Sequence, residues 1–226
     1  MDHGSGGHAI GQHQVEHYFG LAFNMDILYM TWITMAIVIV LAFVATRNLK
    51  MVPTGWQNFL EMIVVGLIEQ VEENIGPKGK KLIPLIITLF LFILVSNELG
   101  MIPTLVSPTS DINTTLGLAL LIVGLTHLLS IKEKGIVSYT KHFFQPAFPF
   151  VIVNLVEEIA KPITLSFRLF GNILAGEILL VILNQLVPYL VPTLWLTFSV
   201  FVGVIQALIF TMLSISYLSS AFSEGH

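Results

Sequence analysis

Residues 27 to 46, ILYMTWITMAIVIVLAFVAT, run for twenty positions without a charged side chain. A helix of that length spans about 30 Å, the hydrocarbon thickness of a bilayer. An uncharged stretch this long has no stable place on a water-facing surface, so it predicts a membrane span. Similar stretches recur along the chain. Only 11% of its 226 residues are charged, and its mean hydropathy is +0.86. An ordinary soluble domain carries about 25% charged residues. The length suits five or six membrane helices and is too short for a transporter with two full repeats. A formal charge of -4 lacks the basic excess needed to neutralise a phosphate backbone, which argues against a nucleic-acid partner. There is no cysteine, hence no disulfide framework and no thiolate metal site.

Punctuation by proline, glycine and charge divides a single membrane domain. Residues 1–26 read as a polar external tail, with His3, His8, His13 and His17 irregularly spaced and solvated rather than metal-ligating; the stretch lacks the basic start of a secretory signal. Residues 27–46 form the first span. Pro53, Thr54 and Gly55 break the chain before an amphipathic helix over 56–75, with Trp56, Phe59, Ile63 and Leu67 on one side and Glu69, Glu72 and Glu73 towards its end; so many carboxylates place it at the membrane interface. Spans follow at 82–102 and 112–131. Two long helices, 148–185 and 193–222, meet in a turn marked by Pro188 and Pro192. The fold class is therefore an all-α polytopic membrane protein with five transmembrane helices and one interfacial helix, the last two forming a long, tilted hairpin.

Eight of the ten basic residues (Arg47, Lys50, Lys78, Lys80, Lys81, Lys132, Lys134 and Lys141) fall on alternate connections, and the intervening connections have none. The positive-inside rule then predicts an external N-terminus and a cytoplasmic C-terminus. Lys161 and Arg168 are left inside the fifth stretch, where a cation costs about 2.5–3.5 kcal/mol on insertion scales. Lys161 has carboxylates at helical spacing, Glu157 and Glu158, so it reads either as a structural ion pair or as part of an ion path. Arg168 has no acidic residue three or four positions away. Asn154, Lys161 and Asn172 fall within about 40° of it on a helical projection, whereas Glu177 projects about 180° away and about 13 Å along the axis. Its counter-charge must come from another helix or another chain. His127, alone in its span, reads as a satisfied interhelical hydrogen bond rather than a relay.

The segment RLFGNILAGE, 168 to 177, resembles the signature of subunit a of F-type ATP synthases, of the bacterial type. The resemblance runs along the chain through FNMD at 23–26, VPTGWQNFLE at 52–61, NELGMIP at 97–103, PTSDINTTL at 108–116, EEIAKPITLSFRLFGN at 157–172 and IQALIFTMLSISYLS at 205–219. It implies a stator channel subunit in the bacterial plasma membrane, with the hairpin set against a rotor ring of c subunits, the b subunits of the peripheral stalk nearby, and two offset half-channels. Arg168 becomes the fixed charge facing the ring carboxylates. Glu177, Asn172, Gln206 and Asn97, with Glu98, Asp111 and Asp26 nearer the mouth, line the outer path. Glu157, Glu158, Asn154, Lys161 and Tyr217 are the candidates for the inner one. Asp26 and Asp111, at span ends, read equally well as helix caps. One branch of the family has histidine where Ser199 stands, working with the Glu177 equivalent, so the outer relay here has carboxylate, amides and water. The transported ion is H⁺ or Na⁺, no cofactor or metal is expected, and the absence of a GxxxxGK[ST] loop leaves nucleotide chemistry to other subunits. The rival reading, a self-contained secondary transporter or channel, predicts an internal repeat and internal counter-charges.

Overall fold

A computed structural model describes residues 15–18, 21–47, 55–102, 105–136, 139, 150–187 and 190–222. Six helices dominate them: α1 (Met25–Arg47), α2 (Trp56–Ile75), α3 (Ile83–Leu99), α4 (Ile112–Lys134), α5 (Phe150–Leu186) and α6 (Leu190–Phe222). All but α2 are long and apolar enough to cross a membrane, α3 being extended by a 3-10 turn over Pro77–Leu82. Helix ends depart from the hydropathy ranges by at most three residues. Pro192 lies inside the first turn of α6 rather than before it, where a missing N–H costs nothing.

One expectation is corrected. Part of the supposed polar tail forms an antiparallel ribbon, β1 (Val15–Tyr18) with β2 (Leu21–Asn24), pairing Val15 with Asn24 and Tyr18 with Leu21. Val15, Tyr18 and Phe23 suit a strand, and the polar residues around them hid that preference. His17 belongs to this ribbon, while His3, His8 and His13 lie outside the described residues. Along α2 Leu67, Val71 and Ile75 are buried and Ile63 packs against the core, while Phe59 is half exposed and the side chain of Trp56 lies outside the described residues.

Helix α6 is the hub, touching α2, α3, α4 and α5. Its buried side carries Ser199, Gly203, Ala207, Thr211, Ser214 and Ala221, and such small side chains let neighbouring backbones approach. The Thr211 and Ser214 hydroxyls donate to carbonyls one turn back, Ala207 and Phe210, so they bring no unpaired polar group into the core. Phe90, Ile93, Ile122, Leu165, Leu169 and Phe210 form the central apolar cluster.

The two ends of the bundle differ in chemistry. At one end Lys78 pairs with Glu133 at 2.7 Å and Lys134 donates to the Ser220 carbonyl, which gathers basic residues of two connections beside the C-terminal turns of α4 and α6. At the other, the connection from α3 to α4 folds inward. Ser107 donates to the Ser96 carbonyl, Ser110 donates to the Ser107 carbonyl, and Asp111 caps α4 by accepting from Asn113 N–H. Gly100 permits this return, because a Cβ there would lie 2.5 Å from Ser107 Cβ. Gly100→Ala should therefore cost about 1–3 kcal/mol by overpacking. Gly124→Ala, with open space around its Cβ, should be neutral or slightly stabilising. Thermal unfolding of the two variants in the same detergent checks the difference.

Candidate functional site

Helix α5 is 37 residues long, about 55 Å, so it can remain within a bilayer only if it is tilted or extends beyond the hydrocarbon. Pro162, Leu165, Ser166, Leu169 and Ile173 turn inward, and Arg168 lies on the exposed side. Among the described residues Arg168 makes no hydrogen bond or ion pair. Lys161 is different: its Nζ lies 2.6 Å from Glu158 Oε1 and 3.7 Å from Glu157 Oε1. The charge of Lys161 is neutralised on its own helix, and that of Arg168 is not.

Glu158 also faces α4. Its Oε2 lies 3.5 Å from His127 Nε2, and His127 Nδ1 lies 2.9 Å from the Tyr139 hydroxyl. Burial, reinforced by the Glu158 carboxylate, pushes the Tyr139 phenol above its ordinary range. Tyr139 therefore stays a phenol, and its hydroxyl and His127 Nδ1 share one hydrogen bond. His127 is hydrogen-bonded to Tyr139 beyond the end of α4, and its contact with Glu158 on α5 extends the chain to Lys161. Asn154 stands two turns from Lys161 and has partners of its own. Tyr217, on α6, packs against the central apolar cluster.

The opposite side of α5 meets the inward-folded connection. Glu177 lies against the Ser110 side chain and the Ser107 backbone. It lines a cavity of about 20 Å³, room for roughly one water, together with Gly100, Met101, Gly176, Trp195 and Ser199. Asn97, with no exposed surface, donates from Nδ2 to the Gly203 carbonyl at 3.0 Å and accepts at Oδ1 from the Thr109 hydroxyl at 2.7 Å. Gln206 is buried one turn beyond Gly203 on α6. The structure thus joins Asn97 to Glu177 through Thr109 and Ser107, with Glu98 beside Asn97 against Gly203 and Gln206 one turn along α6 from that glycine. Asn172, part-buried on α5, lies between the levels of Arg168 and Glu177. Asp111 is committed to its cap and to Asn24, whose Nδ2 donates to Oδ2 at 2.7 Å, and Asp26 sits in the first turn of α1.

Sequence reasoning missed the hydroxyls. Ser107, Thr109 and Ser110 are buried in a connection that reads as an exposed turn, and Thr115 meets Ser166 at 3.0 Å between α4 and α5. Four buried side-chain atoms in the described chain lack a hydrogen-bond partner: Ser96 Oγ, Glu98 Oε1, Glu177 Oε1 and Gln206 Nε2. All lie on helices that border this region. Such atoms cost about 1–3 kcal/mol each unless water reaches them, so their arrangement suits a hydrated path.

At the Lys161 cluster, Glu158 is closer to the ammonium and its side chain is 23% exposed, against 66% for Glu157. Glu158→Gln should lower stability by about 1.5–3 kcal/mol, the range for hydrogen bonds to charged groups, and Glu157→Gln by less. Thermal melts of the two variants within the assembled complex test the order.

A family profile described as ATP synthase A chain matches residues 28–219. The chain is 45% identical over 213 residues to ATP synthase subunit a of Desulforamulus reducens, covering 90% of this chain and 81% of the relative. It is 41% identical to ATP synthase subunit a of Moorella thermoacetica (87% and 89% covered) and 38% identical to that of Geobacter sulfurreducens (89% of each).

Proposed function

Because the chain belongs to the ATP synthase A chain family, a non-catalytic subunit of the membrane sector of the ATP synthase complex, we propose that Arg168 is the fixed charge that separates two ion paths beside a rotor ring. The observation that carries this reading is the contrast within α5: Lys161 is paired at 2.6 Å, while Arg168 is exposed and has no partner among the described residues. An unneutralised guanidinium in hydrocarbon is costly. A ring carboxylate arriving from the c subunits offsets that cost.

The physical chemistry follows from the charge. A ring site reaching Arg168 with its ion bound is neutral; the guanidinium favours the carboxylate form, so the ion leaves for one path. The bare carboxylate reloads from the other path before re-entering lipid. With a pKa above about 12, arginine does not itself accept or give up a proton in service, and so does not short-circuit the paths. The carboxylate, amide and water groups around Glu177, Asn172, Gln206 and Asn97 form the outer path, with Glu98, Asp111 and Asp26 towards its mouth. The Glu157, Glu158, Asn154, Lys161 and Tyr217 side, at the end of the bundle where the lysines gather, is the inner one. In this reading the N-terminus is external and the C-terminus cytoplasmic in the bacterial plasma membrane, and the ring, the peripheral-stalk b subunits and lipid are the neighbours. No cofactor takes part. The ion is H⁺ or Na⁺, selected by the ring carboxylate.

Arg168→Lys should abolish ATP-driven ion pumping in inverted membrane vesicles while leaving the complex assembled, because a lysine can lose its proton and lacks the planar donor fork. Normal pumping by that variant would refute the assignment. Reconstituted alone, the chain should move no ion along a gradient; unaided, saturable transport would instead support a self-contained transporter.

A further inference from the structure

Side chains from three separate segments form one line of contacts at the lysine-bearing end of the bundle. From the connection after α4, the Tyr139 hydroxyl lies 2.9 Å from His127 Nδ1; across the ring, Nε2 lies 3.5 Å from Glu158 Oε2; and the other oxygen of Glu158 lies 2.6 Å from Lys161 Nζ. Glu158 thus gives one oxygen to each neighbour. Its contact with Lys161 is closed. The 3.5 Å to His127 exceeds the about 2.7–2.9 Å of a charge-assisted hydrogen bond, so that contact is open.

The charges of this cluster do not balance. Glu158 and Glu157, the latter 3.7 Å from Lys161, are two carboxylates set against one ammonium. The next charge along α5, Arg168, is ten residues beyond Glu158, about 15 Å along the helix. Helix α6, which also packs on α4, has Tyr217 as its only titratable side chain, and α4 itself carries no charge before Lys132. A charged imidazole at position 127 would therefore bring the cluster to neutrality. Histidine is the side chain whose charge changes between about pH 5 and pH 8. The Tyr139 hydroxyl suits either state, since it can donate to Nδ1 of a neutral ring or accept from a charged one.

We propose that His127 is a positioning residue of the inner path that responds to cytoplasmic pH. Protonated, it closes on Glu158 Oε2 and, with Lys161 on the other oxygen, holds the carboxylate ionised and fixed. Neutral, it releases that oxygen and leaves Glu158 free to take a proton. The inference rests on the assignment of Glu158 to the inner path. A hydronium ion gives its proton to the imidazole, leaving water and an imidazolium, and loss of that proton reverses the step. No other bond changes. An acid cytoplasm thus narrows the inner path.

The test uses the complete synthase in inverted vesicles, whose cytoplasmic face meets the medium. After removal of the soluble sector, proton conduction is driven by a potassium diffusion potential in sodium-free medium, with the lumen held at one pH. The ratio of wild-type to His127→Gln conduction should fall about tenfold as the medium goes from about pH 8 to about pH 6, the low end of what a new opposite charge does to a carboxylate's proton affinity. A role in packing alone would scale conduction by one factor at every pH. A constant ratio would overturn the proposal, as would a ratio that follows the pH of the lumen instead of the medium, or a wild type that conducts no protons. Should His127→Gln fail to assemble, Tyr139→Phe serves: with Nδ1 deprived of its hydroxyl, the ratio of wild type to this variant should also change with pH, and constancy overturns the proposal. Glu158→Gln separates the layers. Wild-type conduction in that variant defeats the assignment of Glu158 to the inner path, whereas impaired conduction together with a constant His127→Gln ratio defeats only the role of His127.

Discussion

Hydrocarbon offers no hydrogen-bond partner, so every polar group this chain carries into the membrane must be satisfied by the chain itself, by water or by another subunit. Most are satisfied at once. Thr34, Thr126, Thr211 and Ser214 each donate to a carbonyl one turn back on their own helix. Asn97 is satisfied from two sides, and in being so it fixes α3 against both α6 and the inward-folded connection. Lys161 is neutralised by Glu158. Among the described residues, what is left is Arg168 on the exposed side of α5, and the buried atoms of Glu98, Glu177, Gln206 and Ser96 that lack a hydrogen-bond partner. Once structure has used the groups it needs, the remainder coincides with groups assigned above to the proposed ion paths.

Helix α5 keeps the two remainders apart. Arg168 and Glu177 are nine residues apart, which puts them on opposite sides of the helix and about 13 Å apart along it. They cannot neutralise one another. One lies on the exposed side of α5, without a partner among the described residues, and the other faces the hydroxyls of the α3 to α4 connection. A helix that separates a fixed cation from a carboxyl in this way keeps the two from closing a salt bridge, which is what the proposed barrier and path require.

Much of the architecture was legible in the order of residues. Uncharged stretches of about twenty gave the spans, prolines and glycines marked the breaks, and the identities three and four positions from Arg168 showed that its own helix offers no acidic partner at helical spacing. The ribbon at Val15–Asn24 was hidden by a polar, glycine-rich context. The burial of Ser107, Thr109 and Ser110 was hidden because turn residues look alike whether they face water or fold inward. Asp111 illustrates the same ambiguity: a carboxylate at a helix start reads as a cap or as an ion-entry group, and its cap to Asn113 N–H and its bond from Asn24 appear only in three dimensions. Which residues of α2 are buried was not readable either: Val71 and Ile75 pack with Ile215 and Leu218 of α6, while Phe59, on the apolar side, is half exposed.

The sequence alone determined which segments cross the membrane, which end of the bundle gathers the lysines, and that a single arginine in the fifth span lacks a local counter-charge. Those properties depend on hydropathy, spacing and charge, which are written along one dimension. Only the tertiary structure decided that Glu98 and Asn97 meet the same glycine, that the Glu177 cavity is bordered by the connection after α3, and that His127 is tied to Tyr139 and Glu158. Each of these joins residues from elements far apart in the chain. Their distances are set by how closely small side chains let the helices approach, a quantity no single helix contains.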